Sequence, residues 1–132
     1  VTPLGIKTWL TTARLSPTTG KVDTTFGGNG WASFRLASQV MYGGYAAVQN
    51  NGRVVLVGGN HDHWLIVRFT AAGERDKTFA TKGVIDMAVG DAPIALATDV
   101  AIDTQNKRIV VAGTESDDDY DHFVALGSFT MS

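Results

Sequence analysis

The sequence has no cysteine among its 132 residues and only three prolines. The absence of cysteine excludes disulfides, thiol nucleophiles and thiolate metal sites. An excess of charge of either sign is also lacking, because the chain has 11 Lys and Arg and 13 Asp and Glu, which gives a formal charge of −2. So balanced a composition does not predict a protein that binds nucleic acid or anionic lipid. Charged residues amount to only 18% and hydrophobic residues to 44%, which excludes a disordered tail or a coiled coil rich in Glu and Lys.

Long hydrophobic runs are missing as well. The run Val54-Val55-Leu56-Val57 stops at a glycine pair, far short of the ~20 residues that a membrane-spanning helix needs. What the chain has instead is 15 glycines and short runs of Val, Ile, Leu and aromatic residues, separated by Gly, Asn and Asp. This pattern is typical of strands and turns, and the length predicts one domain without a membrane span.

An internal repeat organises the chain. Residues 20–31 align with residues 73–84 at a separation of 53, and Gly, Asp, Thr, Phe and Gly coincide. Residues 51–58 match 106–113 at a separation of 55, residues 62–64 match 121–123 at 59, and residues 69–70 match 129–130 at 60. The separation grows mostly between apolar runs, where loop insertions are tolerated. Each repeat is therefore one structural unit.

Four strands are predicted for each unit. In the first unit they cover residues 31–36, 46–49, 53–58 and 64–70, and in the second 84–89, 98–103, 108–114 and 123–130. Residues 8–16 match the fourth strand, because Arg14 precedes the first linker as Arg68 precedes the second. The pair Asn51-Gly52 predicts a two-residue hairpin with a type I′ turn. Phe26 and Phe79 recur in the linkers, where we expect them to fill the space between units.

Four antiparallel strands in a repeat of this length predict an all-β fold made of β-propeller blades. We expect one segment over residues 1–132, with an extra N-terminal strand at 8–16 and two four-stranded antiparallel blades at 31–70 and 84–130. A small β-sandwich is the alternative architecture, since it uses the same number of strands without requiring a repeat.

The residues that carry this repeat resemble the delta-60 repeat family. They are Ala13-Arg14-Leu15, the pattern Gly-x-x-Asp-x-x-Phe-Gly-x-x-Gly from Gly20, and the run Asn-Gly-Arg-Val-Val-Leu-Val-Gly-Gly from Asn51. The resemblance implies propeller blades of large bacterial proteins that are exported or attached to the cell surface, with no catalytic residues in the repeat itself. Two departures are Ala80-Thr81-Lys82 in place of Gly27-Gly28-Asn29, and Ser128 with Gly127 where an Arg is expected.

Propellers close with 4 to 8 blades. Two blades therefore predict a propeller completed by other chains, in a homo- or hetero-oligomer, or by a longer parent protein.

Aromatic and histidine side chains provide candidate ligand-binding residues. Trp9, Trp31 and Trp64 could stack on sugar rings. Trp31 and Trp64 align with Val84 and Phe123 in the second unit, which favours core positions for both instead. His63 and His122 each follow an aspartate, and because this pair recurs it favours a structural role over ligand binding. The pair His61 and His63, at i and i+2, is also a candidate metal site.

An acidic stretch offers a candidate calcium site. Asp117, Asp119 and Asp121 have the alternate spacing at which carboxylates converge on one calcium ion. His122 and Ser128 stand where an EF-hand has its glycine and closing glutamate, so an EF-hand is excluded. A looser calcium site and a solvated acidic loop are the alternatives. No nucleophile elbow, phosphate-binding loop or acid–base pair follows from the spacing, so we predict no catalytic residues and no other cofactor.

The sequence features predict a non-catalytic binding or assembly module, and the resemblance implies that it belongs to an extracellular or cell-surface bacterial protein. The alternative is a small lectin-like protomer that completes a propeller by homo-oligomerisation and binds carbohydrate between blades. A third hypothesis is a subunit of an enzyme whose active site lies in the central channel and is completed by another chain.

Overall fold

The computed structural model describes residues 7–36, 40–91, 93–116 and 122–131, and within these ranges it contains strands and no helix. The predicted all-β class is confirmed. The strands are β1 (Leu10–Ala13), β2 (Trp31–Phe34), β3 (Tyr42–Val48), β4 (Val54–Asn60), β5 (His63–Phe69), β6 (Val84–Ala88), β7 (Ile94–Asp103), β8 (Arg108–Ser116) and β9 (His122–Thr130). A search of the described residues for a helix able to cross a membrane found none.

The strands form three antiparallel sheets. The first sheet is β1-β2, the second is β3-β4-β5-β6 and the third is β7-β8-β9. None of them closes on itself within the described ranges. Contacts between β3 or β4 and β7 join the second sheet to the third, and contacts between β1 and β3 or β4 join it to the first.

The strands are grouped differently from the predicted units 31–70 and 84–130. β2 pairs with β1, with Leu10 opposite Phe34 and Ala13 opposite Trp31, and β6 pairs with β5 in the same way. The strand that opens each repeat therefore completes the sheet of the preceding repeat. The strand predicted within residues 8–16 is observed as β1, and it pairs with β2. The boundaries of the sheets thus differ from those of the sequence repeat, because the turn in the linker returns the chain to the preceding strand.

The linker between repeats folds each chain segment back on the preceding strand. The amide of Gly30 donates to the carbonyl of Phe26 (2.6 Å), and the amide of Arg14 donates to the carbonyl of Gly30 (3.1 Å). The second linker repeats both bonds with Gly83, Phe79 and Arg68. Gly30 and Gly83 have φ values of 95° and 93°, which glycine adopts without strain. These turns place the next strand antiparallel to the one before the linker.

The central strands β4 and β5 of the second sheet are buried on both faces. Side chains of these strands alternate between two cores, so Val54 and Leu56 belong to one and Val55 and Val57 to the other. Phe26 lies in the first core and Phe79 in the second, with 1% and 2% of their surface exposed. The expectation that these phenylalanines fill the space between units is confirmed.

The hairpin at Asn51-Gly52 forms, but not with the predicted turn type. The amide of Gly52 donates to the carbonyl of Gln49, and the amide of Gln49 donates to the carbonyl of Arg53, both at 2.8 Å. Gly52 has a φ of 81° and Asn51 does not have a positive φ. A type I′ turn needs both, so this is a type I turn followed by one left-handed residue.

Candidate functional site

Two adjoining cavities follow the edge of β2, where it faces the linker over residues 74–82. Their volumes are about 560 and 550 Å³, within the range of small-molecule sites. Both are lined by Phe34, Arg35 and Arg75, so they form one surface depression. We call it the β2 groove, and define it by the side chains Trp9, Phe34, Arg35, Arg75, Lys77 and Lys82.

The pairing of β1 with β2 positions the aromatic end of the groove. Trp9 and Arg35 lie one position beyond the paired residues Leu10 and Phe34. The Arg35 guanidinium carbon is 5.0 Å from the centroid of the Trp9 ring, and Trp9 remains 54% exposed. Arg75 comes from the linker, and its guanidinium carbon lies 6.0 Å from the ring centroid of the buried Phe34. Two aromatic rings thus hold two guanidinium groups in the groove.

The groove is locally positive although the protein carries a net negative charge. Arg35, Arg75, Lys77 and Lys82 line it, against two carboxylates. These are Glu74 and Asp86, and Asp86 is already bound to His63. No carboxylate of the described residues forms an ion pair with the four cationic side chains.

Other arginines of the molecule are engaged in a repeated structural cluster. We call it the clasp, and each copy consists of an Arg, an Asp, a Thr and a Phe. The first copy is Arg14, Asp23, Thr25 and Phe26, and the second is Arg68, Asp76, Thr78 and Phe79.

In both clasps the arginine Nε lies 2.8 Å from Oδ2 of the aspartate, and the threonine hydroxyl donates to Oδ1 at 2.6 Å. The guanidinium lies over the phenylalanine ring, at 4.9 Å in the first clasp and 4.5 Å in the second. Nη1 donates to a carbonyl at the end of the next sheet's strand, Ala71 for Arg14 and Met131 for Arg68. The clasps therefore link consecutive sheets, and they are structural.

Hydrogen bonding lowers the pKa of both clasp aspartates. For Asp23 the Thr25 hydroxyl and amide have the largest effect, and Arg14 adds to it. Burial has the largest single effect on the pKa of Asp76 and raises it, but the bonds from Thr78 and the charge of Arg68 together outweigh burial. Arg53 also lies 3.1 Å from Asp76. Both aspartates are thus held in the ionised form.

The three predicted tryptophans occupy different environments. Trp64 is 1% exposed and packs closely on two glycines of the third sheet. A Cβ atom at Gly113 would lie 2.7 Å from its ring, and a Cβ atom at Gly127 would lie 3.3 Å from it. It is a core residue between the second and third sheets, with no ring face open to a saccharide. Trp31 is 49% exposed but lines neither cavity of the groove. Of the three tryptophans, Trp9 is the one that is exposed and also lines the β2 groove.

The described contacts of His61 and His63 differ. His63 Nδ1 lies 2.5 Å from Asp86 Oδ1, and its Nε2 lies 3.9 Å from Asp62 Oδ1. His61 has a φ of 52° and packs edge to face against Tyr42 at 6.4 Å between centroids. The backbone of His122 pairs with Ser116 at the start of β9, far along the chain from His63. The histidine candidates for ligand and metal binding therefore stay predictions.

The candidate calcium ligands Asp117, Asp119 and Asp121 lie outside the described residues. In the part of the chain that the structure describes, no group of three or more His, Asp or Glu residues is arranged to hold a metal ion.

Sequence reasoning identified Trp9 but missed the cationic residues beside it. Arg35 and Arg75 are 40 positions apart in the sequence, and the linker turn brings them together. One signal was available, because Trp9 and Arg35 stand where the second repeat has His63 and Ala88. Residues that differ between repeats are not required by the shared architecture.

Comparisons with protein-family models, curated proteins and solved structures found no match for this chain. The resemblance to the delta-60 repeat family stays a prediction.

Proposed function

We propose that the chain is a non-catalytic assembly module that forms part of a β-propeller in an exported or cell-surface bacterial protein. The observation that carries the proposal is the clasp, because the same four side chains join the first sheet to the second and the second to the third. A side-chain cluster that recurs between consecutive sheets is typical of repeat architectures, in which each unit contacts only its neighbours.

Among the described residues, the third sheet has three strands and the second has four. β9 is its last strand, whereas the equivalent strand β5 pairs with β6. Ser128 lies opposite Val110 as Arg68 lies opposite Val55, so the third sheet carries serine at the clasp position. A strand that pairs with β9 must therefore be held by backbone hydrogen bonds and by apolar contacts.

The outer face of the third sheet provides such contacts. Val124 and Leu126 project from β9 with 87% and 75% of their surface exposed. Leu126 lies opposite Ala112, which is half-buried, on the neighbouring strand. An exposed apolar strand at the edge of a sheet is a template for association with another chain. We infer that a further sheet, from another chain or from a longer parent protein, covers this face.

The native mass of the purified chain, measured by light scattering, tests the proposal. The expected result is a defined oligomer with a mass several times the 14.0 kDa of one chain. A chain that stays monomeric at high concentration would contradict assembly.

Two lysine substitutions locate the interface. Val124→Lys with Leu126→Lys places charge on the face that the proposal covers, so the oligomer should dissociate. Thr104→Lys is the matched control, since Thr104 is an exposed residue of the turn between β7 and β8. An oligomer that survives the double substitution would show that β9 is not the contact surface.

The lectin-like alternative is favoured by one separate observation, the β2 groove with its exposed tryptophan.

A further inference from the structure

We propose that the β2 groove binds an acidic oligosaccharide, a chain of sugar rings that carry carboxylate groups. The proposal does not rest on assembly, because residues of a single chain form the whole groove. It rests on an aromatic ring at one end, two guanidinium groups without an acidic partner among the described residues, and space for an extended ligand.

The aromatic end suits a sugar ring. Trp9 is 54% exposed, and one cavity of about 550 Å³ lies against it. The apolar face of a pyranose packs on an indole, which buries carbon–hydrogen surface while the hydroxyl groups stay in water. Arg35 lies over the same indole, so a carboxylate on the stacked sugar would lie within reach of a guanidinium.

The guanidinium groups suit carboxylates. Arg35 and Arg75 are held by ring contacts with Trp9 and Phe34 and form no ion pair with a described residue. A guanidinium binds a carboxylate through two parallel hydrogen bonds, and the ring contact reduces the entropy lost on binding. Lys77 and Lys82 flank the two arginines in the separate cavities, so positive charge follows the groove along its length.

The shared architecture does not require these side chains. The clasp arginines are satisfied by aspartate and carbonyl groups, whereas Arg35 is replaced by Ala88 in the second repeat. Lys82 has a φ of 54°, a left-handed conformation that glycine adopts with less strain. A lysine in that position is unfavourable for folding, and an anionic ligand provides a reason for its charge.

Nucleic acid fits the groove less well. Glu74 and Asp86 interrupt the positive charge, and the protein as a whole is negative. A phosphate backbone requires a denser cationic surface than this.

Isothermal titration of the full chain with hexagalacturonate tests the proposal. Binding should saturate below about 1 mM ligand, and it should weaken as salt is added, because the contacts are ionic. The fully methyl-esterified hexamer has the same rings without charge and should bind at least about tenfold more weakly. Equal binding of the two hexamers, no binding of either, or tighter binding of a single-stranded oligonucleotide would overturn the proposal.

Four variants assign the contacts. Arg35→Gln and Arg75→Gln should each weaken binding about tenfold, and Trp9→Ala should do the same while Trp9→Phe restores part of it. Trp31→Ala is the control for Trp9→Ala, since Trp31 is similarly exposed but lies outside the groove. If Trp31→Ala weakened binding as much as Trp9→Ala, the site would not be the β2 groove.

A pair of glycine substitutions separates ligand binding from folding. Lys82→Gly and Lys107→Gly each remove one positive charge at a left-handed residue, with φ of 54° and 53°. Both should raise the melting temperature by about 2 °C, but only Lys82→Gly should weaken hexagalacturonate binding. If the two variants bound hexagalacturonate with equal affinity, Lys82 would not contact the ligand. The mass measurement described above is independent of this result, so the two proposals can fail separately.

Discussion

At the scale of single residues, a few positions combine side chains with backbone angles that do not suit them. Lys107 follows Asn106 in the turn between β7 and β8 and has a φ of 53°. It matches Gly52 of the first repeat, which has a φ of 81°. The amide of Met131 donates to the carbonyl of Lys107 (3.1 Å), so the chain is held in this conformation.

We predict that Lys107→Gly stabilises the protein by about 0.5 kcal/mol. The relief of the left-handed backbone outweighs the greater freedom that glycine gives the unfolded chain. Chemical denaturation monitored by circular dichroism measures the difference. Gly52→Lys is the reciprocal substitution and should destabilise the protein, and a stabilising effect of Gly52→Lys would contradict this account.

At the scale of structural elements, the two clasps provide the same bonds in different environments. The side chains of Arg68 and Asp76 are 0% and 4% exposed, whereas those of Arg14 and Asp23 are 40% and 30% exposed. Loss of one partner from a buried ion pair leaves an unpaired charge away from water. Exposed pairs contribute much less, because water replaces the missing partner.

Asp76→Ala should therefore destabilise the protein by about 3 kcal/mol or more. Asp23→Ala is the control and should cost clearly less, although it removes the same bonds to arginine and threonine; Asp76 in addition lies 3.1 Å from Arg53. Urea denaturation of both variants gives the comparison. Equal losses would mean that burial does not decide the contribution of the clasp.

The prediction of the elements themselves was close. The strand predicted at 108–114 is observed as Arg108–Ser116, and the one predicted at 123–130 as His122–Thr130. The strand predicted at 46–49 begins earlier, at Tyr42, where Gly43 and Gly44 lie in the strand with φ values of 84° and 152°. Glycines in a strand mark an irregularity, here the register shift between Tyr42 and Tyr45. Local sequence patterns indicate a turn at such glycines, and pairing with β4 overrides them.

At the scale of the whole molecule, stability depends on carboxylates that hold turns and linkers in place. The pKa values of Asp23, Asp76 and Asp103 are all lowered from the ordinary 3.8 by hydrogen bonds and by neighbouring arginines. For Asp103 the Asn106 side chain and amide have the largest effect. The unfolded chain therefore binds protons at a higher pH than the folded chain does.

The resulting stabilisation is present above about pH 4 and is lost as the pH falls through the folded-state pKa values. We predict a melting temperature that is steady near neutral pH and drops below about pH 4. Calorimetry over this range tests it. Asp76→Asn should flatten the drop, since it removes one linked proton, and a curve parallel to that of the unsubstituted protein would count against this assignment.

The candidate site shows why the function was harder to predict than the fold. Trp9 and Trp64 have the same aromatic side chain in neighbouring strand positions of two repeats, yet one is 54% exposed and the other 1%. The structure aligns Trp9 with His63 and Leu10 with Trp64, so the two rings stand at adjacent positions whose side chains point to opposite faces. Leu10 and Trp64 are both 1% exposed, and the third sheet covers Trp64 through Gly113 and Gly127. No local pattern records which sheet covers which face.

The sequence by itself determined the internal repeat and the approximate positions of the strands, because these depend on residue preferences and on an alternation that spans a few neighbours. It also determined the chemistry that is excluded, since a chain without cysteine has no thiolate. Only the tertiary structure decided that each repeat's first strand completes the preceding sheet. It also brought Arg35 and Arg75 to one groove beside Trp9. These features depend on contacts between residues far apart in the chain, which packing and register set and local preference does not.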